Sequence, residues 1–398
     1  MAFNTVMRMM VCSDIHIKED CPVEPERFEK GLKDAYLYAE KCDYPFLDAV
    51  FTVGDFANRG TEEQMRIYKS FLDKGLKKGT VSVLSMASHE YMHDGYEGAL
   101  QRFDEIFGQA PDMHTVIKGF HCISVTTEKG CSIGEEKQKW LSDELKKAAA
   151  DSENKPIFVF QHPHISGTVY GSANWGDDDI YSILMDYPQV IDFSGHSHAP
   201  VNDPRSVHQK HFTCFGTGSL SYFELDEFDF IHGTIPPDKG QCAQFLIVEV
   251  SDTGAVRVKP YDILSGKFFD DGAVINTPWN PDSFVYTSAR YLAPEKPYFN
   301  ENTVVKIVVS DNRAAVSFEA AKSPSERINA YKLVLKNIET GRILRQVRFT
   351  SEYYLYDMPQ EYSFTFDDVC KGKYLVEITA DGFWNNCSSP LTKEFEVR

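Results

Sequence analysis

No window of this 398-residue chain approaches the ~18 consecutive apolar residues that a membrane-crossing helix needs. Its apolar runs, such as Ile157-Phe158-Val159-Phe160, are strand-sized, so no membrane span is expected. A secretory leader would need a basic start, a long apolar stretch and a small-residue cleavage site, but the first strand-like run reaches Asp14 almost at once. Basic residues are in short supply: 41 Lys and Arg stand against 59 Asp and Glu, a formal net charge of -18. That field repels polyanions and disfavours duplex nucleic acid as a partner, although a local cation site could still attract one phosphate. Paired-cysteine motifs are missing too, since the nine cysteines are scattered, odd in number and form no CxxC. The pattern suits reduced thiols and a cytoplasmic location. Low-complexity tracts and internal repeats are also absent, and a 42% hydrophobic, 25% charged composition is that of an ordinary folded chain.

The length exceeds what one hydrophobic core usually organises, which points to two domains. From the N-terminus to about Phe160, β-rich runs alternate with helical patterns, the signature of a layered α/β domain. Glu24 to Cys42 reads as a helix whose Phe28, Leu32, Ala35, Tyr36 and Ala39 recur at three- and four-residue steps. A second helix starts after Thr61, whose hydroxyl can cap it while Gln64 reaches back as in a capping box; Met65, Tyr68 and Leu72 form its apolar face. A third runs from about Glu136 to Ala150 with Trp140, Leu141 and Leu145 inward. Beyond Gly195, Phe212 to Phe215, Gln244 to Val250 and Val256 to Tyr261 read as strands without intervening helices, completing a second sheet.

Pro278, Pro281, Pro294 and Pro297 interrupt regular structure, so residues 278–298 are expected to link a domain of residues 1–277 to one of residues 299–398. The latter holds strand patterns at Val304 to Val309, Ala314 to Glu319, Ala330 to Leu335, Arg342 to Phe349, Tyr362 to Phe366, Tyr374 to Thr379 and Thr392 to Val397. That spacing suggests a small all-β sandwich.

Five apolar, strand-like runs each end in a metal-liganding residue type, and open α/β sheets bind ligands at strand C-termini. Met9 to Cys12 leads to Asp14-Ile15-His16, where a period-two pleat would put carboxylate and imidazole on one side. Val50 to Val53 leads to Gly54-Asp55-Phe56-Ala57-Asn58-Arg59-Gly60, in which Asp55 can offer two oxygens to two cations. Val81 to Met86 leads to Ala87-Ser88-His89-Glu90, Ile157 to Phe160 to Gln161-His162, and Val190 to Phe193 to Gly195-His196-Ser197-His198. Imidazoles with carboxylates suit Mn, Fe, Zn or Ni.

The order DxH, GDxxN, NH[DE], H, GHxH over roughly the first 220 residues resembles the calcineurin-like metallophosphoesterases, including class III cyclic nucleotide phosphodiesterases and related phosphatases. The resemblance implies a four-layer α/β/β/α sandwich followed by the small β-sandwich. It also implies that Asp14, His16, Asp55 and His198 hold one metal ion, while Asp55, His162 and His196 hold a second. The family's fourth ligand to that second ion is an Asn; here Ser88 stands at its position and Ala87 replaces the preceding Gly. A serine hydroxyl is shorter than a carboxamide, so two alternatives stay open: a water replaces direct coordination and weakens the second site, or Ser88 coordinates. His89 matches the histidine that protonates the leaving group or stabilises phosphoryl charge, Asn58 the residue that orients it, and Arg59 a phosphate contact. The implied activity is hydrolysis of a phosphomonoester or phosphodiester, a small molecule or nucleotide, through a metal-bridging hydroxide. Two other readings stay open: a nuclease, which would ordinarily show a basic groove, and a metal-binding interaction protein with a degenerate site marked by Ser88.

Residues outside these motifs carry weaker signals. His164 and His93 lie just past motif residues and fit substrate contact or an ordinary loop equally well. Gly167 to Asp177, with Tyr170, Asn174 and Trp175, could wall the substrate or simply pack. His114, His121, His208, His211 and His232 read as surface or hydrogen-bonded histidines, Cys12 as a small buried apolar residue. The acidic run Glu224, Asp226, Glu227 and Asp229 reads as a solvated loop rather than a calcium site. The C-terminal segment is similar to fibronectin type III or immunoglobulin-like modules; it carries no assigned chemistry and is a surface for a protein partner or a homodimer.

Overall fold

A computed structural model describes residues 3–151, 154–225 and 243–398. Asp226, Glu227, Asp229 and His232 fall outside them. The chain divides into two compact units, Met1–Thr287 and Ser288–Arg398.

The first unit is built around period-two strands that are apolar on both faces. In β1 (Thr5–Cys12), Met7, Met9 and Val11 face one core while Met10 and Cys12 face another. β2 (Ala49–Val53) splits the same way, with Ala49, Phe51 and Val53 on one side and Val50 on the other. Such two-sided burial requires layers above and below. One layer is helical: α1 (Val23–Glu40) lays the expected stripe of Phe28, Leu32, Ala35, Tyr36 and Ala39 against the sheet, and α2 (Glu62–Gly75) adds Met65, Tyr68 and Leu72. The Thr61 hydroxyl caps α2 by accepting from the Gln64 N–H at 3.2 Å. Gln64 does not complete a capping box; its Oε1 accepts from the Arg59 N–H at 2.7 Å and its Nε2 donates to Glu19.

β3 (Val81–Ser85) joins β2 in parallel, followed by α3 (Gly95–Phe107) and the hairpin of β4 (Met113–Ile117) and β5 (Phe120–Ser124). α4 (Glu135–Asp151) buries Leu141 and Leu145, while Trp140 is half-buried against the same cluster. Next come β6 (Ile157–Phe160), β7 (His164–Ile165), the short α5 (Ser172–Trp175), β8 (Gly176–Asp177), α6 (Tyr181–Leu184) and β9 (Val190–Ser194). The unit ends with β10 (Val207–Gln209), β11 (Thr213–Gly216), β12 (Gln244–Ser251), β13 (Val256–Asp262), β14 (Lys267–Phe268) and β15 (Ala273–Ile275).

These strands form two sheets. One has the order β14-β13-β12-β1-β2-β3, with β15 on β13; the other is β10-β11-β9-β6-β5-β4. β12 to β15 therefore extend the first sheet, whereas the sequence pattern suggested the second; only β11, the Phe212 to Phe215 run, joins that one. Between the sheets lies a shared apolar layer in which Phe51 of β2 stacks on Phe160 of β6 at 3.8 Å. Fully burying such a side chain contributes ~1.5–3 kcal/mol. With α1 to α3 outside the first sheet and α4 outside the second, the unit is a four-layer α/β/β/α sandwich. Within each sheet the strands leading to the motifs are parallel neighbours, β1-β2-β3 and β6-β9, which brings their C-terminal ends together.

In the second unit, β16 (Val305–Ser310), β17 (Arg313–Glu319) and β20 (Glu361–Phe366) form one antiparallel sheet. β18 (Ala330–Asn337), β19 (Ile343–Thr350), β21 (Gly372–Asp381) and β22 (Leu391–Val397) form the other, in the order β19-β18-β21-β22. Residues of both, including Val316, Phe318, Tyr331, Leu333, Tyr362 and Val376, share one core. No helix among the described residues is long and apolar enough to cross a membrane.

Candidate metal centre

The strand ends deliver their ligands through strained turns. Asp14, His16, Asp55, His196 and His198 all have positive φ, between 51° and 72°. Each such conformation costs a non-glycine residue of order 1 kcal/mol and persists where the surroundings over-determine it. β1 ends at Cys12, so Asp14 and His16 share a centre because the backbone curls left-handed at both, not because an extended pleat continues. Gly54 opens the second turn at φ +77°, and a Cβ there would lie 2.5 Å from His162 Nδ1, so no side chain fits.

Asp14, His16 and His198 are at most 5% exposed and offer atoms mutually within 4.8 Å. His198 Nε2 lies 3.2 Å from Asp14 Oδ1 and 3.1 Å from His16 Nε2. Asp14 Oδ2 accepts from the Ser13 hydroxyl and, at 3.1 Å, from the His196 N–H, leaving Oδ1 with no hydrogen bond. A second convergent set is Asp55, His162 and His196. His162 Nε2 approaches Asp55 Oδ2 to 3.0 Å without a hydrogen bond, while its Nδ1 meets the Val53 carbonyl at 2.8 Å. Ser88 Oγ donates to the same Asp55 Oδ2 at 3.4 Å. Buried polar atoms left without a hydrogen-bond partner are costly unless something satisfies them. Asp14 Oδ1 and His162 Nε2 are such atoms, and a cation would satisfy both. The donor set of carboxylates and imidazoles therefore fits transition-metal ions.

Charge is balanced within the cluster. Burial pushes the Asp14 carboxyl up, but His198 and His162 outweigh it and hold it well below the usual carboxylate range. Asp55 is likewise lowered, burial being overcome chiefly by His162. Burial lowers His162, but Asp55 and Asp14 reverse this and raise it to about 10. His16 and His196 are pushed down to about 4, burial being the main cause.

His89 stands at the edge of both sets, half-buried, its ring edge-on to His16 at 4.3 Å. Its backbone N–H donates to Asp55 Oδ1 at 2.9 Å and its Nδ1 to the Asn58 carbonyl at 2.8 Å. Its atoms also converge with those of His16 and Asp55. The contact from Asn58 is thus made by the main chain, not by the expected side chain. Arg59 is exposed, and its backbone N–H donates to Gln64.

Glu90, next to His89, was part of the motif but received no role from the sequence. It is fully buried and accepts from three backbone N–H groups, those of Asp55 (3.0 Å), Ala57 (2.9 Å) and Ala87 (2.8 Å). It ties the β2 turn to the β3 turn. Burial and the nearby Asp55 push its carboxyl up to about 8. The [DE] position after His89 was the available signal.

Trp175 is brought to the second set, its ring edge-on to His196 at 5.0 Å, and the β7-β8 pairing closes the loop that carries it. His164 goes elsewhere: it is 1% exposed and bonded through both nitrogens to Ser194 (2.8 Å) and Ser197 (2.7 Å). It braces the GHxH turn from behind rather than facing substrate, because the apolar β6 run continues burying the chain past His162. His93 is exposed. His114 and His121 bond each other at 2.8 Å and the carboxylates of Glu144 and Asp151, as structural histidines do. Two neighbours of the centre carry no motif signal: Tyr222, whose ring lies 4.2 Å from that of His198 and whose carbonyl takes the His198 Nδ1–H at 3.0 Å, and Cys131, whose sulfur is 3.2 Å from His196 Nε2.

Residues 7–200 match the family model described as calcineurin-like phosphoesterase. They form a calcineurin-like metallophosphoesterase domain. Among solved structures, a purple acid phosphatase from yellow lupin (Lupinus luteus) seeds is similar at 16% identity and a TM-score of 0.47, covering 69% of this chain and 54% of that one. This chain thus spans about half of the lupin enzyme. PhoD is similar at 12% identity and a TM-score of 0.43, covering 82% of this chain and 72% of that one. Neither likeness carries the assignment, which rests on the family match and the site. No curated protein matches the chain.

Proposed function

We propose that the centre holds two transition-metal ions and hydrolyses a phosphomonoester or phosphodiester of a small molecule or nucleotide. The carrying observation is that Asp55 belongs to a second convergent set, with His162 and His196, beside the set of Asp14, His16 and His198. When bound, the ions supply Lewis acidity that activates water and neutralises phosphate charge. Asp14, His16 and His198 would hold one position and Asp55, His162 and His196 the other. Ser88, with its hydroxyl turned to Asp55, adds little to the second position, which is the weaker.

His89 supplies the proton. Its Nδ1–H is fixed on the Asn58 carbonyl, so its Nε2 is the nitrogen turned toward substrate, where it protonates the leaving oxygen. Arg59, exposed beside this turn, meets the distal part of an anionic substrate, and Trp175 lines the approach past His196. An acidic surface favours a small substrate over a polyanion. The described cysteines form no disulfide, which supports a reducing, cytoplasmic setting.

The test is His89→Ala assayed on bis-para-nitrophenyl phosphate and para-nitrophenyl phosphate, with ion content measured in parallel. Turnover is expected to fall ~100-fold or more with ion content unchanged. A large loss of ion instead would make His89 a ligand, as its convergence with His16 and Asp55 also permits.

A further inference from the structure

Three histidines at this centre share an orientation that His16 and His196 do not, the buried Nδ1 of His16 having no hydrogen bond. His162, His198 and His89 each direct Nδ1 onto a main-chain carbonyl, of Val53 (2.8 Å), Tyr222 (3.0 Å) and Asn58 (2.8 Å) respectively. A carbonyl only accepts, so in each ring Nδ1 carries a proton, and in His162 and His198 Nε2 is the nitrogen left for the centre. His196 shows no such carbonyl contact among the described residues. Its Nε2 is instead 3.2 Å from Cys131 Sγ. With Nε2 engaged there, Nδ1 is the atom left for the centre, and it can bind a cation only if the ring proton sits on Nε2 and is donated to sulfur.

The thiol is held in place for this contact. Thr127 donates its N–H to the Met86 carbonyl at 3.3 Å and accepts, through its own carbonyl, from the Tyr91 hydroxyl at 2.6 Å. The turn that follows is closed by Ser132 N–H on Lys129 O (3.1 Å) and Glu128 N–H on Ser132 O (2.9 Å), with the Thr127 hydroxyl on Gly130 O (2.9 Å). The turn therefore hangs from the segment that carries Ser88, and the thiol also meets the Ser88 side chain. Among the described residues, the convergent ligand groups contain no cysteine.

We infer that Cys131 is a positioning residue for the second metal position: it accepts the His196 Nε2–H and so fixes the tautomer and ring orientation that present Nδ1. This rests on the two-ion reading. Outer partners of ligating histidines typically govern metal affinity by ~10–100-fold. Cys131→Ala is expected to weaken one of the two ions by about that factor and leave the other in place. Cys131→Ser, which keeps an acceptor, should restore most of the loss.

Three readouts on the full chain decide it: ion stoichiometry and affinity by competition with a chelator, the near-ultraviolet spectrum of the cobalt(II)-loaded protein, and long-range nitrogen–proton NMR of His196 without metal. Support requires two ions in the wild type, selective weakening in Cys131→Ala with rescue by serine, and a protonated Nε2 on His196. Unchanged affinity in Cys131→Ala overturns the inference. So does a sulfur-to-cobalt charge-transfer band that Cys131→Ser removes, since it would make the cysteine a ligand. A wild type that binds one ion refutes the two-ion reading, and the His196 tautomer then still decides the role of Cys131: a proton on Nδ1 would refute it.

Discussion

Replacing Glu90 should damage both stability and the metal centre. Its carboxylate accepts three backbone N–H groups, Oε2 serving Asp55 and Ala87 and Oε1 serving Ala57. All three donors belong to the turns after β2 and β3. Glu90→Ala strands them in a site where the original side chain is 0% exposed. An unsatisfied buried donor costs ~1–3 kcal/mol, so three give roughly 3–9 kcal/mol before water enters the cavity, and about 4 kcal/mol is a reasonable expectation after it does. That is a large share of the ~5–15 kcal/mol by which domains are stable. Glu90→Gln keeps one acceptor where Oε2 serves two donors and opposes its amide to the Ala57 N–H, so it should cost roughly a third as much, about 1–3 kcal/mol. Urea unfolding of chelator-treated protein measures both without metal linkage, and an ion count measures the consequence for Asp55. Equal stability of Glu90→Ala and wild type to within about 0.5 kcal/mol, or equal cost for alanine and glutamine, would refute the reasoning.

Gly54→Ala places a Cβ 2.5 Å from His162 Nδ1 on a backbone at φ +77°, and should release the second ion before the first when ion content is followed against chelator. Asn58→Ala should leave turnover within about threefold of wild type, because His89 is held by the residue 58 carbonyl; a loss as deep as that of His89→Ala would return the role to the side chain. Asp192 is fully buried, and burial raises its carboxyl to about 8 against the opposing hydrogen bonds of Gln161, long at 3.3 and 3.5 Å, and Ser194. Its folded value lies above the unfolded one, so the stability it contributes is complete below the unfolded value near 4 and is lost as pH rises through about 8. Asp192→Asn should therefore match wild type below about pH 4 and exceed it by on the order of a few kcal/mol near pH 9, read from thermal unfolding across that range.

The candidate ligands are legible because a fold of this kind advertises them twice, as a buried apolar run and as a polar residue ending it. β1 to Asp14, β2 to Asp55, β6 to His162 and β9 to His196 each show both signals. What the pattern concealed was how the chain turns there: Asp14 and His16 meet through left-handed backbone, which no propensity reports. α3 was hidden for a different reason, since its first turn carries Gly95 and Gly98 and its Asp94 makes no side-chain cap. Long-range packing hid the partners of the centre. Nothing near Cys131 or Tyr222 in sequence marks them, because their value depends on His196 and His198, 65 and 24 residues away. The hydrogen bonds from Asn58 and Val53 were invisible for a simpler reason: they belong to the main chain, and residue type does not encode them.

The most direct test is to strip the protein with chelator, reload it with Mn, Zn, Ni or Fe, and measure ester hydrolysis and bound ions on the same samples. Two ions per chain with turnover of a phosphomonoester or phosphodiester that appears and disappears with them is the expected result. Two bound ions with no hydrolysis of either ester in any metal would contradict it and leave a metal-binding protein without catalysis.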